Sequence, residues 1–288
     1  MEQIISFKVT GNEFSNKRYN VKYLVDAMDL FQKLLDSSYL SIIGKSKLYD
    51  NDRENFRVYA MNLRSGSFEA DFLIKVGVIA TTIIQNYPSS NPADIWRTAK
   101  EAFQFLKVVY ENQSKGKNIN IEIIDSPGVN VVLNSNDANV KVNSEALETA
   151  KKAQGAFKEY SRRIEKVPGV EGFQAWNNND SADSISFTRE EIPIFKNKPI
   201  IENEILKIKG IYTQANSNSM TGRIKVIDNM NSPLKEDEYH FKFINNEVNE
   251  KKFREGFVQE RVYTAKRKLI FNIDKQQLDV VSLHLINI

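Results

Sequence analysis

The sequence predicts an α+β fold, in which an N-terminal α/β-layered domain with an antiparallel hairpin and several helices precedes a small β-barrel. Helix and strand patterns alternate over the first part of the chain. A polar run with three consecutive asparagines follows, and beyond it most apolar patterns have the period of a strand. We therefore predict a domain over residues 1–172, a linker over residues 173–184 and a barrel domain over residues 185–288. A length of 288 residues also favours two cores over one.

Composition and charge limit the classes of function. With 41% hydrophobic and 27% charged residues, the chain is expected to fold without extensive disorder. The formal net charge of +3 is far below the basic excess typical of nucleic-acid-binding proteins. The absence of cysteine excludes disulfides, thiolate catalysis and cysteine-based metal sites, and it fits a cytoplasmic location. The N-terminus lacks the features of a secretory signal, and the uncharged stretch 76–91 is too short and polar to predict a membrane span.

The N-terminal elements follow from their apolar spacing. A strand is predicted at about residues 3–9, and a helix with Asn20 as its cap begins at Val21 and ends near Gly44. A second strand covers residues 55–63, and "RSGS" then leads into a third strand with Phe68, Ala70 and Phe72 on one side. Because Gly66 tolerates a positive φ, this turn predicts a β-hairpin. A buried helix is expected at about residues 75–86.

Two longer helices complete the first domain. Asn91 and Pro92 open one whose broad apolar face predicts burial on two sides, in a core or in a homo-oligomer contact. That face comprises Ile95, Trp96, Ala99, Ala102, Phe103, Leu106, Val109 and Tyr110. Three short strands are predicted between residues 118 and 142. The next helix is capped by Ser144 and ended by Pro168 and Gly169.

The C-terminal region contains five strand patterns. They lie at residues 205–214, 221–229, 238–244, 267–273 and 278–288, and a helix at 246–258 separates the third from the fourth. Five strands with a helix in this position match the oligonucleotide/oligosaccharide-binding barrel, the OB-fold.

The barrel also carries the best candidates for nucleic-acid binding, which are Arg261, Tyr263, Lys266, Arg267 and Lys268. Further aromatic residues of the barrel are Tyr212, Tyr239, Phe241 and Phe243. Single-strand binding by an OB-fold requires aromatic rings on which bases stack and cations that follow the backbone. Against this function, residues 182–288 are nearly neutral, with 17 Lys+Arg and 15 Asp+Glu.

Two other constellations give weaker indications. His240 and His284 both fall in barrel strands and could bind a metal if a carboxylate joined them, although a place on the barrel surface is the simpler interpretation. Glu69, Asp71 and Lys75 resemble the carboxylates and lysine of metal-dependent nucleases, but their spacing departs from the customary one. "RSGS" has too few glycines for a phosphate loop. No catalytic residue, metal site or cofactor is therefore predicted.

The chain resembles a family of uncharacterised bacterial two-domain proteins in "MNLRSGSFEADFLIKV" and in the barrel segment that begins "KGIYTQANSNSMTGRIKV". The residues that match the family's turn are Arg64, Gly66, Ser67, Phe68 and Glu69, and Gly210 and Gly222 match barrel glycines. The resemblance implies an α+β domain followed by an OB-like barrel and transfers no catalytic residues. It also suggests genes in mobile or defence-rich regions.

The sequence is compatible with three functions. The first is a non-enzymatic cytoplasmic protein that acts by binding or assembly, as a homo-oligomer or with a protein partner. The second is a nucleic-acid or nucleotide-binding protein that acts through the barrel in antiviral defence or mobile-element biology. The third is a metal-dependent nuclease.

Overall fold

The computed structural model describes residues 2–14, 19–64, 68–77, 91–124, 138–244, 250–255, 257 and 259–287. The chain divides into two compact units. The first comprises Met1–Asn112 and Asn118–Asn197, and the second comprises Gln113–Lys117 and Lys198–Ile288. The predicted α+β fold is confirmed. Among the described residues, no helix is both long and apolar enough to cross a membrane.

Seven strands and most of the helical residues that the structure describes belong to the first unit. Its elements are β1 (Glu2–Thr10), α1 (Val21–Ile42), α2 (Asp50–Asn55), β2 (Phe56–Arg64), β3 (Glu69–Val76), α3 (Pro92–Ser114), β4 (Ile119–Ile123), β5 (Ala138–Val142), α4 (Ser144–Glu165), β6 (Gly172–Asn177), β7 (Asp180–Thr188) and α5 (Ile192–Phe195). Residues of α3 beyond Asn112 belong to the second unit.

An antiparallel sheet of five strands organises the first unit, in the order β2-β3-β1-β6-β7. The predicted hairpin is its β2-β3 pair. Helices α1 and α4 pack against each other, and Phe31 of α1 contacts both Phe7 and Phe72 of the sheet, with ring centroids 5.0 and 5.5 Å apart. Strands β4 and β5 form a separate parallel pair.

The predicted linker is part of this sheet. Residues 173–184 form β6 and the first half of β7, and β6 pairs with β1 at the centre of the sheet. The sequence around Asn177 to Asn179 is polar because it is the turn between these two strands. The two units divide instead near residue 198.

Three other elements differ from their predictions. Lys75 and Val76 belong to β3, so the helix expected at 75–86 does not begin there, and residues 78–90 lie outside the described residues. Of the three strands expected between 118 and 142, β4 and β5 are described, while 125–137 lie outside the described part. The cap of α4 is Asn143, whose Oδ1 accepts a 2.7 Å hydrogen bond from the Ala146 N–H.

The broad apolar face of α3 is buried within the chain. Each of its eight residues is at most 4% exposed. Trp96 contacts Phe31 of α1, and Phe103 contacts Phe157 of α4, with ring centroids 6.4 and 5.6 Å apart. The core of one chain therefore accounts for the width of this face, which no longer indicates a subunit contact.

The second unit is a closed barrel of five strands. Its elements are β8 (Ile200–Ile201), β9 (Leu206–Asn216), β10 (Thr221–Asp228), β11 (Glu238–Phe243), α6 (Glu250–Glu255), β12 (Arg261–Asn272) and β13 (Gln277–Asn287). Around the barrel the order is β9, β10, β11, β13, β12 and back to β9, with β11 and β13 parallel and the other neighbours antiparallel. This is the Greek-key order of the OB-fold, with α6 between the third and fourth strands as predicted.

One strand of the barrel is longer than predicted. β12 begins at Arg261, six residues before the expected start at Arg267. The basic cluster therefore lies within a strand, where consecutive side chains point to opposite faces. This alternation decides which of the candidate residues can act together.

Candidate nucleic-acid interface

Side-chain alternation divides the barrel residues into an inner and an outer set. Leu283 and Leu285 of β13 are 0% exposed and belong to the barrel core, so His284 between them points to the outer face. On β12, Tyr263 and Ala265 are equally buried in the core, which places Lys266 and Lys268 on the outer face.

The strand register brings these outer residues into one surface. His284 is opposite Lys242 of β11 on one side and opposite Lys266 of β12 on the other. Two residues along the strands, His240 of β11 is opposite Arg223 of β10. We call the set that spans β10, β11, β13 and β12 the cationic strip. Its members are Arg223, His240, Lys242, Lys266, Lys268 and His284.

The strip extends over four neighbouring strands, which at about 4.8 Å per strand is about 14 Å. A groove of about 610 Å³ adjoins it at the β9–β11 side. Gln214, Asn216 and Thr221 contribute polar side chains to the lining, together with Arg223 and His240 of the strip. The groove includes the connection between the first two barrel strands, and this is the region with which OB-folds bind oligonucleotides and oligosaccharides.

Positive charge dominates the strip. Arg223 is neutralised by Glu238, with Nη1 and Oε2 3.0 Å apart. Within the described residues, Lys242, Lys266 and Lys268 have no carboxylate within salt-bridge distance. Burial and the charges of Lys268 and Lys242 lower the pKa of His284 below its ordinary value. The central part of the strip thus presents three uncompensated cations around a neutral imidazole.

Several of the predicted binding residues lie elsewhere. Tyr263 is 0% exposed and belongs to the barrel core, where its ring stacks on that of Tyr212. Phe241 and Phe243 are also buried there, so these rings do not form a surface on which bases could stack. Arg261 is two residues before Tyr263 on β12, so strand alternation places it on the same side as Tyr263 and on the opposite side from Lys266.

Arg267 is held in an ion pair. Its guanidinium forms two hydrogen bonds of 2.6 Å with the carboxylate of Glu202, and its side chain is only 15% exposed. Lys266 and Lys268 are therefore the members of the predicted cluster that share the outer face. Period-2 alternation in the sequence could have separated them from Arg267, and could have placed His284 outside between two leucines. Lys242, Arg223 and His240 join them only through strand pairing.

The two histidines lie on neighbouring strands, as a metal site would require, but Lys242 separates them. Lys242, and not His240, is the residue opposite His284. No group of three or more metal-ligating side chains occurs among the described residues. A cation between two imidazoles disfavours a metal ion, so this part of the strip suits an anion better.

The carboxylates of the proposed nuclease site are held by an arginine. Arg64 forms an ion pair with Glu69 and two hydrogen bonds of 3.0 and 2.8 Å with Asp71. Asp71 also accepts hydrogen bonds from Ser6 and Asn62, at 2.8 and 3.1 Å. Burial raises its pKa, but these hydrogen bonds and the charge of Arg64 outweigh that effect and lower it.

Lys75, the third residue of the proposed nuclease site, pairs with Glu2 at 3.6 Å. Phe68 is buried, and its carbonyl accepts a 2.9 Å hydrogen bond from the Val9 N–H. Gly66 and Ser67 lie outside the described residues. The described residues Arg64, Phe68 and Glu69 thus connect β3 with its neighbouring strands, and their interpretation as a structural turn stays a prediction.

Comparison with protein-family models, with curated proteins and with solved structures finds no match to this chain. The geometry of the described residues therefore carries the functional interpretation.

Proposed function

We propose that the protein is a non-enzymatic binding protein whose barrel binds nucleic acid through the phosphate backbone, along the cationic strip. The observation that carries this proposal is the register that aligns Lys242, His284 and Lys266 across three adjacent strands. Lys242, Lys266 and Lys268, which have no carboxylate partner in the part of the chain that the structure describes, offer an anionic polymer several phosphate contacts. The adjoining groove supplies polar groups for sugars and bases.

The burial of the aromatic rings shapes the expected mode of binding. Because Tyr212, Phe241 and Tyr263 lie in the core, base stacking contributes little, and His240 is the exposed ring of the strip. Affinity should then depend on charge more than on base identity. We expect weak sequence preference and strong dependence on salt.

The first experiment measures fluorescence anisotropy of a labelled single-stranded oligonucleotide at low salt. The variant Lys266→Glu with Lys268→Glu should bind at least tenfold more weakly than the unchanged protein. The matched control is Lys115→Glu with Lys235→Glu, which reverses the charge at two exposed lysines that belong to the same unit but lie outside the strip. The control should change the dissociation constant less than twofold.

Equal losses in the two double variants would indicate a general effect of net charge and would contradict the strip as the site. Circular dichroism of both variants establishes that the barrel remains folded. Duplex DNA and single-stranded RNA of the same length show which nucleic acid is preferred.

The wider context belongs to the same proposal. A cytoplasmic location, membership of the bacterial two-domain family and a role in antiviral defence or mobile-element biology are compatible with a nucleic-acid-binding barrel. A homo-oligomer or a protein partner stays a prediction, which light scattering at several concentrations tests. A mass that equals one chain at every concentration would contradict the homo-oligomer.

A further inference from the structure

His284 is unusual among the residues of the outer barrel face because it is almost completely buried. Its neighbours Leu283 and Leu285 take the inward positions of β13, so the His284 side chain points outward. The residue is nevertheless only 9% exposed. Its Nδ1 is buried and has no hydrogen-bond partner among the described residues. Buried polar atoms are nearly always paired, so an unpaired ring nitrogen within a group of cations indicates a missing acceptor or donor.

Among the described residues, the charges around this imidazole all have the same sign. Lys242 faces it from β11 and Lys266 from β12, each in direct register, and Lys268 lies two residues further along β12. His240 is diagonal to it on β11. The register neighbour of Lys268 on β13 is Ser282, which carries no charge. No described carboxylate forms an ion pair with any of the three lysines.

We propose that Lys242, His284 and Lys266 form a binding site for a single phosphate group, and that His284 takes up one proton when the group binds. The assignment of the phosphate to a nucleic acid rests on the proposed function. The oxyanion site itself does not, because a free phosphate or sulfate ion would bind to the same groups.

Electrostatics explains why the proton and the anion would bind together. In the empty site, burial and the charges of Lys268 and Lys242 lower the pKa of His284, so the ring is neutral near pH 7. An oxyanion offsets the positive charge of the lysines and accepts a hydrogen bond from the protonated ring, in which both nitrogens are donors. The midpoint of His284 should therefore be higher in the anion-bound protein than in the free protein. Anion affinity should rise as the pH falls from the higher midpoint to the lower one.

Nuclear magnetic resonance of the histidine rings tests this directly, since the chain contains only His240 and His284. The unchanged protein is titrated between about pH 5 and 8 in sulfate and in chloride at equal ionic strength. Sulfate is the probe because its charge is constant over this range. We expect the midpoint of His284 to rise in sulfate by about one pH unit, and that of the exposed His240 to move much less.

Binding of inorganic sulfate and phosphate to variants provides the second readout. His284→Gln should remove the increase in sulfate affinity at low pH, which can reach about tenfold per pH unit, whereas the control Lys235→Gln, at an exposed lysine outside the strip, should retain it. Lys242→Gln should weaken sulfate binding at every pH. A His284 midpoint that is equal in sulfate and chloride, or that shifts only as much as that of His240, overturns the site.

The outcomes separate this inference from the proposed function. If the His284 midpoint responds to sulfate but oligonucleotides do not bind, the phosphate site stands and the polymer assignment is wrong. If oligonucleotides bind with the same affinity at low and high pH, and equally well to the His284→Gln variant, the strip stands and the phosphate site is wrong. The ring titration uses the unchanged protein, so it is informative even if a variant fails to fold.

Discussion

Salt dependence provides the sharpest prediction of phosphate binding by the barrel, because it counts the cations involved. Three lysines of the strip lack carboxylate partners among the described residues. Binding is described by the slope of the logarithm of affinity against the logarithm of salt concentration. Each phosphate of a single strand that a lysine of the protein neutralises contributes about −0.7 to this slope. Three contacts predict a slope of about −2. Affinity should then fall about 20-fold between about 50 and 200 mM NaCl.

Removing one lysine should change this slope by a defined amount. Lys266→Gln removes one phosphate contact, so the slope should become about −1.4 and the loss over the same salt range about sevenfold. Anisotropy titrations at five or more NaCl concentrations measure both slopes. Lys235→Gln, an exposed lysine of the same unit outside the strip, should leave the slope unchanged. A slope near zero in the unchanged protein, or equal slopes for Lys266→Gln and the unchanged protein, would refute phosphate contacts by the strip.

Three predictions concern stability. Asp71→Asn should lower the free energy of unfolding by about 2–3 kcal/mol at pH 7, since its buried carboxylate accepts several hydrogen bonds. Folding lowers the pKa of Asp71, so its contribution to stability is present above the ordinary pKa of 3.8 and is lost as the pH falls through the lowered pKa. The free energies of unfolding in urea of the variant and the unchanged protein should therefore become equal in acid. Arg267→Gln should lower the free energy of unfolding of the barrel by about 1–3 kcal/mol, because the ion pair with Glu202 is lost. The variant should bind oligonucleotide with unchanged affinity. A loss of affinity would instead indicate that Arg267 belongs to the binding site. Gly222→Ala should cost about 2–3 kcal/mol because its Cβ would lie 2.1 Å from a backbone oxygen of β9, and an unchanged melting temperature would contradict this.

Local patterns predicted many of the elements. The apolar stripe of α1, the β2-β3 hairpin around "RSGS" and the five barrel strands all follow from periodicity and turn chemistry, because these depend on residues close together in the chain. The linker at 173–184 was wrong for the same reason: a polar hairpin turn and a polar domain boundary have the same local composition. Pairing with β1, which lies far away in the sequence, identifies the segment as part of the sheet.

The candidate site was predicted only in part. Lys266 and Lys268 belong to a cluster that is visible in the sequence, and their alternation with Arg267 assigns them to the opposite face of the strand. The ion pair of Arg267 with Glu202 joins residues 65 positions apart, so no local pattern indicates it. The aromatic residues between the cations were expected at the surface, but the inward parity of Tyr263 and Phe241 places them in the core.

The sequence by itself determined the α+β class, the order of the barrel strands along the chain, the absence of cysteine chemistry and the near balance of charge. These properties depend on composition and on periods of two to four residues. Only the tertiary structure decided that Lys242, Lys266 and Lys268 share one face with His284, and that Arg64 holds the carboxylates of Glu69 and Asp71. Strand closure determines such neighbours, because the parallel pairing of β11 with β13 brings together residues about 40 positions apart, a separation that local periodicity cannot predict.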